Sequence, residues 1–312
     1  MSASFPVPVL TGPTGVGKTR LSLELSERAP VEIISADSRQ VYTELTIGTA
    51  KPDAEMQAQV PHHFIDERSV FNSDDTFSAG TFAREAWKRI REIQHRGHLP
   101  VVVGGSTLYV HALHEGLADI PDVPPAIRAK IESALKEDGP EALFERLQQV
   151  DPKTAAGMDA TKTRRVQRAL EVYEATGRPL SYYHQQTPVP PFDFDVVVLH
   201  RDRQKLYDRI NARVDTMLEA GLVDEVAALD ARGVDRSRSP LRTIGYKEVF
   251  AYLDGDIPFD EMVRLIKRNT RRYAKRQLTW FRRYDTYSWV PATASVANLQ
   301  RHLSAFSALA DR

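Results

Sequence analysis

A glycine-rich loop near the amino terminus carries the residue types that bind phosphate. It reads GPTGVGKT over residues 12–19 and matches the pattern G-x-x-x-x-G-K-[ST]. Glycines let successive backbone N–H groups point inward at an anion, and the helix that follows presents its positive end to the same anion. Lys18 adds a full charge, and the Thr19 hydroxyl can ligate Mg²⁺. The loop predicts a diphosphate or triphosphate site in preference to a purely structural glycine turn, but it does not name a reaction.

Asp37 is the second candidate for chemistry. It follows the apolar segment at 33–36, whereas the apolar segment at 101–103 ends in glycines instead of the acid that supports Mg²⁺ in most P-loop kinases. The carboxyl ends of parallel strands share the edge of the sheet at which ligands bind. Asp37 can therefore face the phosphate loop as a base or as a support for a metal ion. The residue pattern leaves one alternative, in which Asp37 caps the start of a helix.

The elements that must position these residues read as an α/β fold. Continuous apolar runs, typical of parallel strands covered on both faces, mark four predicted strands at 7–10, 31–34, 99–103 and 196–199. Helical patterns lie between and after them, at 19–28, 79–94, 206–217, 223–229 and 260–283. Strands that alternate with helices predict a P-loop NTPase-like parallel sheet flanked by helices.

The middle of the chain contains no predicted strand. Proline clusters at 121–125 and 188–191 enclose a stretch in which apolar residues such as Ile127 and Ile131 recur at helical spacing. We expect residues 121–194 to form an all-helical insertion domain, and residues 1–120 with 195–312 to form the P-loop-containing core and its carboxyl-terminal helices. The alternative is an extended helical excursion without a core of its own.

Composition excludes several classes of protein. The 312 residues include no cysteine, which rules out disulfide scaffolds, thiolate zinc sites, iron–sulfur clusters and cysteine nucleophiles. We find no apolar run long enough to cross a bilayer and no signal-peptide pattern, so we expect a cytoplasmic protein that does not bind membranes. The net charge is zero, with 42 basic and 42 acidic residues. A nucleic-acid surface must therefore be a local excess of positive charge.

Such an excess lies in the second half of the chain. Residues 262–284 contain nine basic residues and no acidic one. At helical spacing, one face of this stretch would carry Arg264, Arg268, Arg271 and Lys275. Aromatic residues between them can stack on bases, although we expect Trp280 to pack in the core. The alternative to an RNA-binding surface is a solvated basic helix with buried aromatic side chains.

Eight motifs occur in order along the chain and carry a resemblance. After the phosphate loop come DSRQVY (37–42), IGTAKP (47–52), VPHHFID (60–66), GGSTLY (104–109), RVQRALEV (165–172), GYKE (245–248) and KRQLTWF (275–281). Over about residues 8–290 the chain resembles the tRNA dimethylallyltransferases. It departs from their usual Gly-Gly-Thr at Ser106, which keeps the hydroxyl. The zinc finger of the eukaryotic members requires cysteine, so the resemblance is to the bacterial form.

The resemblance implies a prenyl transfer. The exocyclic N6 amine of the adenine 3′-adjacent to the anticodon in tRNA would attack dimethylallyl diphosphate, and diphosphate would leave. The phosphate loop, with Mg²⁺ on Thr19, would stabilise the leaving group, and Asp37 would accept the proton of the amine. The adenine would be flipped out of its stack into a channel that the phosphate loop closes. The implied partners are thus tRNA and dimethylallyl diphosphate, and the family suggests a monomer.

The resemblance also implies individual site residues. The catalytic set is Asp37, Thr14, Lys18 and Ser106. The residues expected to bind diphosphate are Gly12, Pro13, Thr14, Gly15, Val16, Gly17, Lys18, Thr19 and Arg213. The residues expected to bind tRNA are Asp37, Ser38, Arg39, Gln40, Ser106, Arg128, Arg164, Arg165, Val166, Gln167, Arg168, Arg242, Lys275 and Arg276. Of the tRNA-binding residues, Arg128 and 164–168 belong to the predicted insertion domain.

Three other functions stay open at this point. An adenylate isopentenyltransferase that acts on free AMP, ADP or ATP would share the phosphate loop and Asp37, but it would not need the insertion or the basic helix. A P-loop small-molecule kinase would turn over ATP. A non-catalytic RNA-binding module would use the basic helix alone and would leave the phosphate loop unexplained.

Overall fold

A six-stranded parallel sheet is the framework of the protein. The computed structural model describes residues 5–72 and 77–306. Within them the strands are β1 (Val7–Thr11), β2 (Val31–Ser35), β3 (His62–His63), β4 (Leu99–Gly104), β5 (Phe194–His200) and β6 (Ser288–Pro291). The strand order is β3-β2-β4-β1-β5-β6, and every pairing is parallel. The predicted parallel α/β fold is therefore confirmed.

The central strands are covered on both faces, and most of their residues are apolar. Every residue of β1 and of β2 is buried, as expected for a parallel sheet that is covered by helices. In the sheet, Val9 pairs with Val102 of β4 on one side and with Val196 of β5 on the other. The loop that follows β1 therefore starts at the middle of the sheet.

The helices divide between two compact units. In the first unit, residues 1–114 and 190–312, the helices are α1 (Lys18–Ser26), α2 (Ala54–Gln59), α3 (Ala79–His95), α4 (Thr107–Glu115, which ends one residue past the boundary), α9 (Arg203–Glu219), α10 (Leu222–Ala231), α11 (Tyr246–Leu253), α12 (Phe259–Phe281) and α13 (Val296–Gln300). Side chains of α1 and α9, including Leu21, Leu25 and Ile210, join sheet residues in one hydrophobic cluster. This packing fixes the start of α1 at the edge of the sheet where β1 ends.

The second unit, residues 115–189, is helical throughout its regular elements. It contains α5 (Pro125–Val150), α6 (Pro152–Ala155), α7 (Thr163–Thr176) and α8 (Leu180–His184). Helix α5 is interrupted at Gly139, whose φ of 83° and ψ of 171° are not helical; the residue before Pro140 is driven out of the helical region by the proline ring. Side chains from α5 and α7, among them Ile131 and Leu170, form a hydrophobic core within this unit.

Several regular elements escaped prediction, among them α2, α4, α11 and the strands β3 and β6. Strand β3 has only two residues and β6 has four, so neither shows a periodicity that a sequence pattern can reveal. Helix α11 begins at Tyr246, directly after Gly245 in an unusual backbone conformation with φ 98°. Among the described residues, no helix combines the length and the apolar character needed to cross a membrane.

Candidate active site

The phosphate loop joins the end of β1 to the start of α1, as its sequence requires. Gly12, Gly15 and Gly17 all have positive φ, at 141°, 76° and 114°. A side chain at Gly12 would also place its Cβ only 2.6 Å from the carbonyl oxygen of Leu199. Glycine is therefore needed here for both conformation and space. Val16 is fully buried within the main hydrophobic cluster, so its side chain anchors the loop and only its backbone can face a ligand.

Lys18 supplies the positively charged side chain of the loop. Its Nζ donates to the carbonyl oxygens of Gly12 and Pro13, both at 3.1 Å. Burial lowers the pKa of Lys18 to about 8; the Asp37 carboxylate opposes this decrease and the Arg213 guanidinium adds to it. An anion bound in the loop would favour the charged form of Lys18, because an opposite charge within a few ångström stabilises it.

The carboxyl ends of β1, β2 and β4 meet beside this loop. Thr11 at the end of β1 donates its Oγ1 hydrogen to the Gly104 carbonyl at 2.7 Å. A Cβ at Gly104 would lie 2.1 Å from the carbonyl oxygen of Ala36, so glycine alone permits this approach of β4 to the residue before Asp37. The backbone N–H of Ser106 donates to the same Ala36 oxygen at 3.2 Å. The close approach of Gly104, at the end of β4, to Ala36 therefore brings Ser106 and Asp37 together.

Asp37 closes a turn with one oxygen and exposes the other. Its Oδ1 accepts the backbone N–H groups of Arg39 at 2.9 Å and of Gln40 at 3.4 Å. The capping role that the sequence left open is thus present, although the turn does not continue as a helix. No residue in the described ranges donates a hydrogen bond to Oδ2. One carboxylate group can therefore hold the turn with Oδ1 and accept a proton with Oδ2.

The residues after Asp37 are tied to the β4 loop and to segment 49–50. The backbone N–H of Ser38 donates to the Ser106 Oγ at 3.0 Å, and the Ser106 hydroxyl donates to the Ser38 Oγ at 3.3 Å. Gln40 donates its Nε2 to the carbonyl oxygens of Thr49 and Ala50 at 3.3 and 3.2 Å. The Nε of Arg39 is buried without a hydrogen-bond partner. This rigid turn keeps the Asp37 carboxylate at the edge of the sheet.

Two cavities meet at Asp37. The first, of about 290 Å³, is lined by the phosphate loop, by Gly104 and Gly105 and by three arginines, and we name it the phosphate-loop cavity. The second, of about 360 Å³, is lined by residues of α9, α10 and α12 and by segment 242–247, and we name it the basic cavity. Both cavities are lined by Thr14, Asp37, Thr49, Arg213 and Tyr273. A molecule in one cavity can therefore contact a molecule in the other at these residues.

Arginines from α9 and from the residues just before it surround the phosphate loop. Arg213 donates its Nη2 hydrogen to the Thr49 carbonyl at 3.3 Å, and burial lowers its pKa, with Asp37 opposing the decrease. Arg209 donates its Nε hydrogen to the Gly15 carbonyl at 2.9 Å, and Arg201 donates two hydrogens to the Val16 carbonyl. Guanidinium groups held in place by carbonyl oxygens form a preorganised positive wall for an anion.

The loop that carries Thr49 rests on one carboxylate. Glu225 of α10 accepts the backbone N–H groups of Thr46 and Ile47 on Oε2, at 3.1 and 2.7 Å, and that of Gly48 on Oε1 at 3.2 Å. The fully buried Tyr246 donates its hydroxyl to Oε1 at 2.6 Å. A Cβ at Gly48 would collide with the Tyr246 ring at 2.5 Å. These contacts account for the glycine at position 48 and the tyrosine at position 246 in the IGTAKP and GYKE motifs.

The remaining predicted tRNA contacts of the first unit lie on exposed surface. Arg242 and Arg276 are exposed and line the basic cavity, and Lys275 is exposed on α12. Part of the basic face predicted on α12 is engaged within the protein, since Arg271 donates to the Asn211 side chain at 2.6 Å. Trp280 is half-buried beneath the Arg283 guanidinium, 4.7 Å from the ring centroid, and not enclosed in the core as expected.

The tRNA contacts predicted for the insertion lie in the second unit, on the first turn of α5 and on α7. Arg128, Arg164 and Arg165 are exposed, while Gln167 and Arg168 are half-buried. Val166 corrects the prediction: its side chain is only 1% exposed and packs in the hydrophobic core of this unit. It stabilises the helix that presents its basic neighbours, and its side chain cannot meet RNA.

Oxygen ligands for a metal ion are few at this site. Thr19, in the first turn of α1, and Asp37 both line the phosphate-loop cavity. Across the part of the chain that the structure describes, no group of three or more His, Asp or Glu side chains is arranged to hold a metal ion. Such a sparse donor set fits Mg²⁺, which binds through one or two protein oxygens plus substrate phosphates and water.

Sequence reasoning missed three residues that the structure places here. Arg209 and Tyr273 line the phosphate-loop cavity, and the buried Gln277 contacts the loop directly. Burial raises the pKa of Tyr273 to about 12, with Asp37 contributing, so its hydroxyl stays protonated. Gln277 belongs to the KRQLTWF motif and Tyr273 to the basic stretch, but neither pattern shows that these side chains point toward the phosphate loop.

Comparison with known proteins identifies the family. The family model described as IPP transferase matches residues 40–284. The chain is 60% identical over 288 residues to a tRNA dimethylallyltransferase of Salinibacter ruber, covering 92% of this chain and 88% of that protein.

Two solved structures are also similar to this chain. One is a tRNA isopentenylpyrophosphate transferase of Bacillus halodurans, with 38% identity, a TM-score of 0.70 and coverage of 99% of this chain and 100% of that chain. The other is a eukaryotic dimethylallyltransferase acting on tRNA, with 28% identity, a TM-score of 0.75 and coverage of 93% of this chain and 74% of that chain. With most of its length matched by the family model and by a relative of this identity, the chain belongs to the IPP transferase family.

Proposed function

We propose that this enzyme transfers a dimethylallyl group from dimethylallyl diphosphate to the N6 amine of the adenine 3′-adjacent to the anticodon in tRNA. One observation carries the proposal: a phosphate-binding cavity and a second, basic cavity share a wall that contains a carboxylate and an arginine, Asp37 and Arg213. Such a junction suits a reaction between a diphosphate donor and a nucleic-acid acceptor. Membership of the IPP transferase family supports the same conclusion.

The donor side would bind through its diphosphate. The backbone N–H groups of the phosphate loop, Lys18 and Arg213 surround the phosphate-loop cavity with positive charge, which stabilises the charge that develops on a departing diphosphate. In this role the loop holds a leaving group and transfers no phosphoryl group. The apolar side chains of Ile210 and Val214 line the basic cavity and offer an apolar surface for the five-carbon chain.

The acceptor side would lose one proton. The N6–carbon bond forms as the bond between the allylic carbon and the diphosphate oxygen breaks, and diphosphate leaves with the bonding electron pair. The amine must also release a proton, which we assign to Oδ2 of Asp37, because Oδ1 is already occupied by two backbone N–H groups. Thr14 lines both cavities and Ser106 lines the basic cavity beside Asp37, so both hydroxyls are placed to contact the reacting groups.

A magnesium ion would be held by the Thr19 hydroxyl together with oxygens of the diphosphate. When bound, it would supply positive charge that neutralises the leaving group. The residues of this chain bind and orient the donor and accept the proton from the adenine.

The tRNA would reach the site through the basic cavity. Its lining includes Arg39, Arg242, Lys247 and Arg276, which can contact the phosphates that flank a flipped base. Arg128, Arg164 and Arg165 provide a further exposed basic surface in the second unit. The family resemblance suggests action as a monomer, and the tRNA acceptor favours a cytoplasmic location.

The proposal is tested by transfer of a radiolabelled dimethylallyl group in the presence of Mg²⁺. Bulk tRNA and AMP are offered as parallel acceptors, and ATP hydrolysis is followed in a separate reaction. We expect label in tRNA alone. Label in AMP alone would make the protein an adenylate isopentenyltransferase, and ATP turnover without any label would make it a kinase or an ATPase.

A further inference from the structure

Gln277 is a buried amide in the middle of an otherwise basic helix segment. It lies on α12 and its residue is only 2% exposed, whereas its neighbours Lys275 and Arg276 are exposed. A buried amide stabilises a protein only when its donors and acceptor are satisfied. The partners of this amide therefore indicate what it does.

Both partners of Gln277 belong to the active site. Its Oε1 accepts the backbone N–H of Thr14 at 2.9 Å, and its Nε2 donates to the carbonyl oxygen of Gly105 at 2.6 Å. Since a backbone N–H can only donate and a carbonyl can only accept, these two contacts fix the orientation of the amide. The two hydrogen bonds together form a bridge from Thr14 through Gln277 to Gly105. A Cβ at Gly105 would lie 2.7 Å from the Gln277 Nε2, so glycine is needed there for the bridge to form.

The bridge joins the phosphate loop to the segment after β4, beyond the point where Thr11 and Gly104 are paired in the sheet and linked by the Thr11 Oγ1 hydrogen bond. Thr14 is the phosphate-loop residue that lines both cavities, and Gly105 directly precedes Ser106, which holds Ser38 beside Asp37. One amide thus links the donor-binding loop directly to the segment that supports the proposed base, and helps to set the distance between them. A reacting pair tolerates little change in such a distance.

We propose that Gln277 is a positioning residue that aligns the phosphate loop with the acceptor side of the active site. This inference rests on the proposed function, because alignment matters only if a donor and an acceptor react at this junction. It assigns to the inward face of α12 a role in catalysis, while the outward Lys275 and Arg276 stay available for RNA. Gln277 also lines the phosphate-loop cavity, and the proposed role is exerted through its hydrogen bonds to Thr14 and Gly105.

Two substitutions separate this role from simple packing. Gln277→Met keeps the volume and loses both hydrogen bonds. In Gln277→Glu, the protonated acid can reproduce the amide: its carbonyl oxygen accepts from Thr14 and its hydroxyl donates to Gly105. The ionised form has no donor and faces the Gly105 carbonyl with negative charge. Burial favours the protonated form, so activity of Gln277→Glu relative to wild type is expected to rise as the pH is lowered.

The measurement is single-turnover transfer of dimethylallyl to tRNA from pH 5.5 to 8.5, normalised to wild type at each pH. The other ionisable groups around the phosphate-loop cavity are Lys18, Arg20, Asp37, Arg209, Arg213 and Tyr273. Dividing by the wild-type rate at each pH removes the pH dependence that wild type and variant share. We expect Gln277→Met to be about 100-fold slower at every pH, and Gln277→Glu to recover toward wild type only at low pH. Binding of tRNA, measured by filter retention, stays unchanged.

Three results would overturn the inference. They are a wild-type rate for Gln277→Met, a ratio for Gln277→Glu that does not vary with pH, and a loss of tRNA binding that accounts for the lost rate. If the Gln277 variants fail to fold, Gly105→Ala tests the same bridge, because its Cβ would displace the amide, and a wild-type rate for it would again overturn the inference. Failure of the proposed function is recognised separately, since the wild-type protein would then transfer no label.

Discussion

The contact between Glu225 and the loop at 46–48 leads to a quantitative prediction. Glu225→Gln keeps the shape of the side chain but replaces one acceptor oxygen by an NH₂ group. In the structure, Oε2 accepts from Thr46 and Ile47, and Oε1 accepts from Gly48 and from Tyr246. Whichever way the new amide turns, its NH₂ group faces two of these donors.

The size of the effect follows from those lost bonds. Burial, together with the Glu225 carboxylate, raises the pKa of Tyr246 above its ordinary range, so its hydroxyl remains a donor. Each hydrogen bond to a charged group contributes about 1.5–3 kcal/mol. Two lost bonds, partly offset by relaxation of the loop, lower the free energy of unfolding by about 3 kcal/mol. The loop also carries Thr49, whose carbonyl holds Arg213, so we expect the KM for dimethylallyl diphosphate to rise about tenfold.

The assay combines urea unfolding with steady-state transfer to tRNA. Asp224→Asn is the matched control, since Asp224 is the exposed neighbour of Glu225 on α10 and loses the same charge. Glu225→Gln should lower the unfolding free energy and raise the KM, whereas Asp224→Asn should change neither. Equal behaviour of the two variants would refute the idea that this carboxylate supports the donor-binding loop.

Three further outcomes are expected. Although burial opposes its ionisation, hydrogen bonds from Arg96 and His63 lower the pKa of Glu32 to about 2. Ionised Glu32 therefore adds about 2–3 kcal/mol to the free energy of unfolding, in full above pH 4.5, and this contribution is lost as the pH falls toward 2. Urea unfolding at pH 7 and pH 3 should show this loss in wild type and a smaller one in Glu32→Gln. Arg213→Gln should raise the KM for dimethylallyl diphosphate at least tenfold without weakening tRNA binding, as measured by filter retention. Arg276→Gln should do the reverse, weakening tRNA binding and reducing its salt dependence.

Local patterns account for the parts of the molecule that could be predicted. A local sequence pattern was enough to predict several elements, namely the phosphate loop, the strands β1, β2, β4 and β5, and the long helix α12. The order of motifs identified the family, which the family model and the relatives confirm. The roles of the individual site residues stay predictions.

Contacts between distant parts of the chain account for what could not be predicted. Thr14 and Gln277 are 263 residues apart, and Glu225 reaches Thr46 across 179 residues; neither spacing leaves a periodic signal. The side chain of Val166 is buried, and its position in a basic run hides the helical spacing that buries it. A motif therefore shows which residues matter, whereas packing decides the direction in which each side chain points.

The most direct test of the central claim, that Asp37 accepts the proton of the adenine amine, is single-turnover transfer by Asp37→Asn. Asparagine keeps an oxygen for the backbone N–H groups of Arg39 and Gln40, so the turn should survive, while the proton acceptor is lost. We predict that transfer to tRNA slows by at least about 100-fold and that the Kd for tRNA, measured in parallel, stays within about threefold of wild type. Transfer at a near wild-type rate would contradict the account.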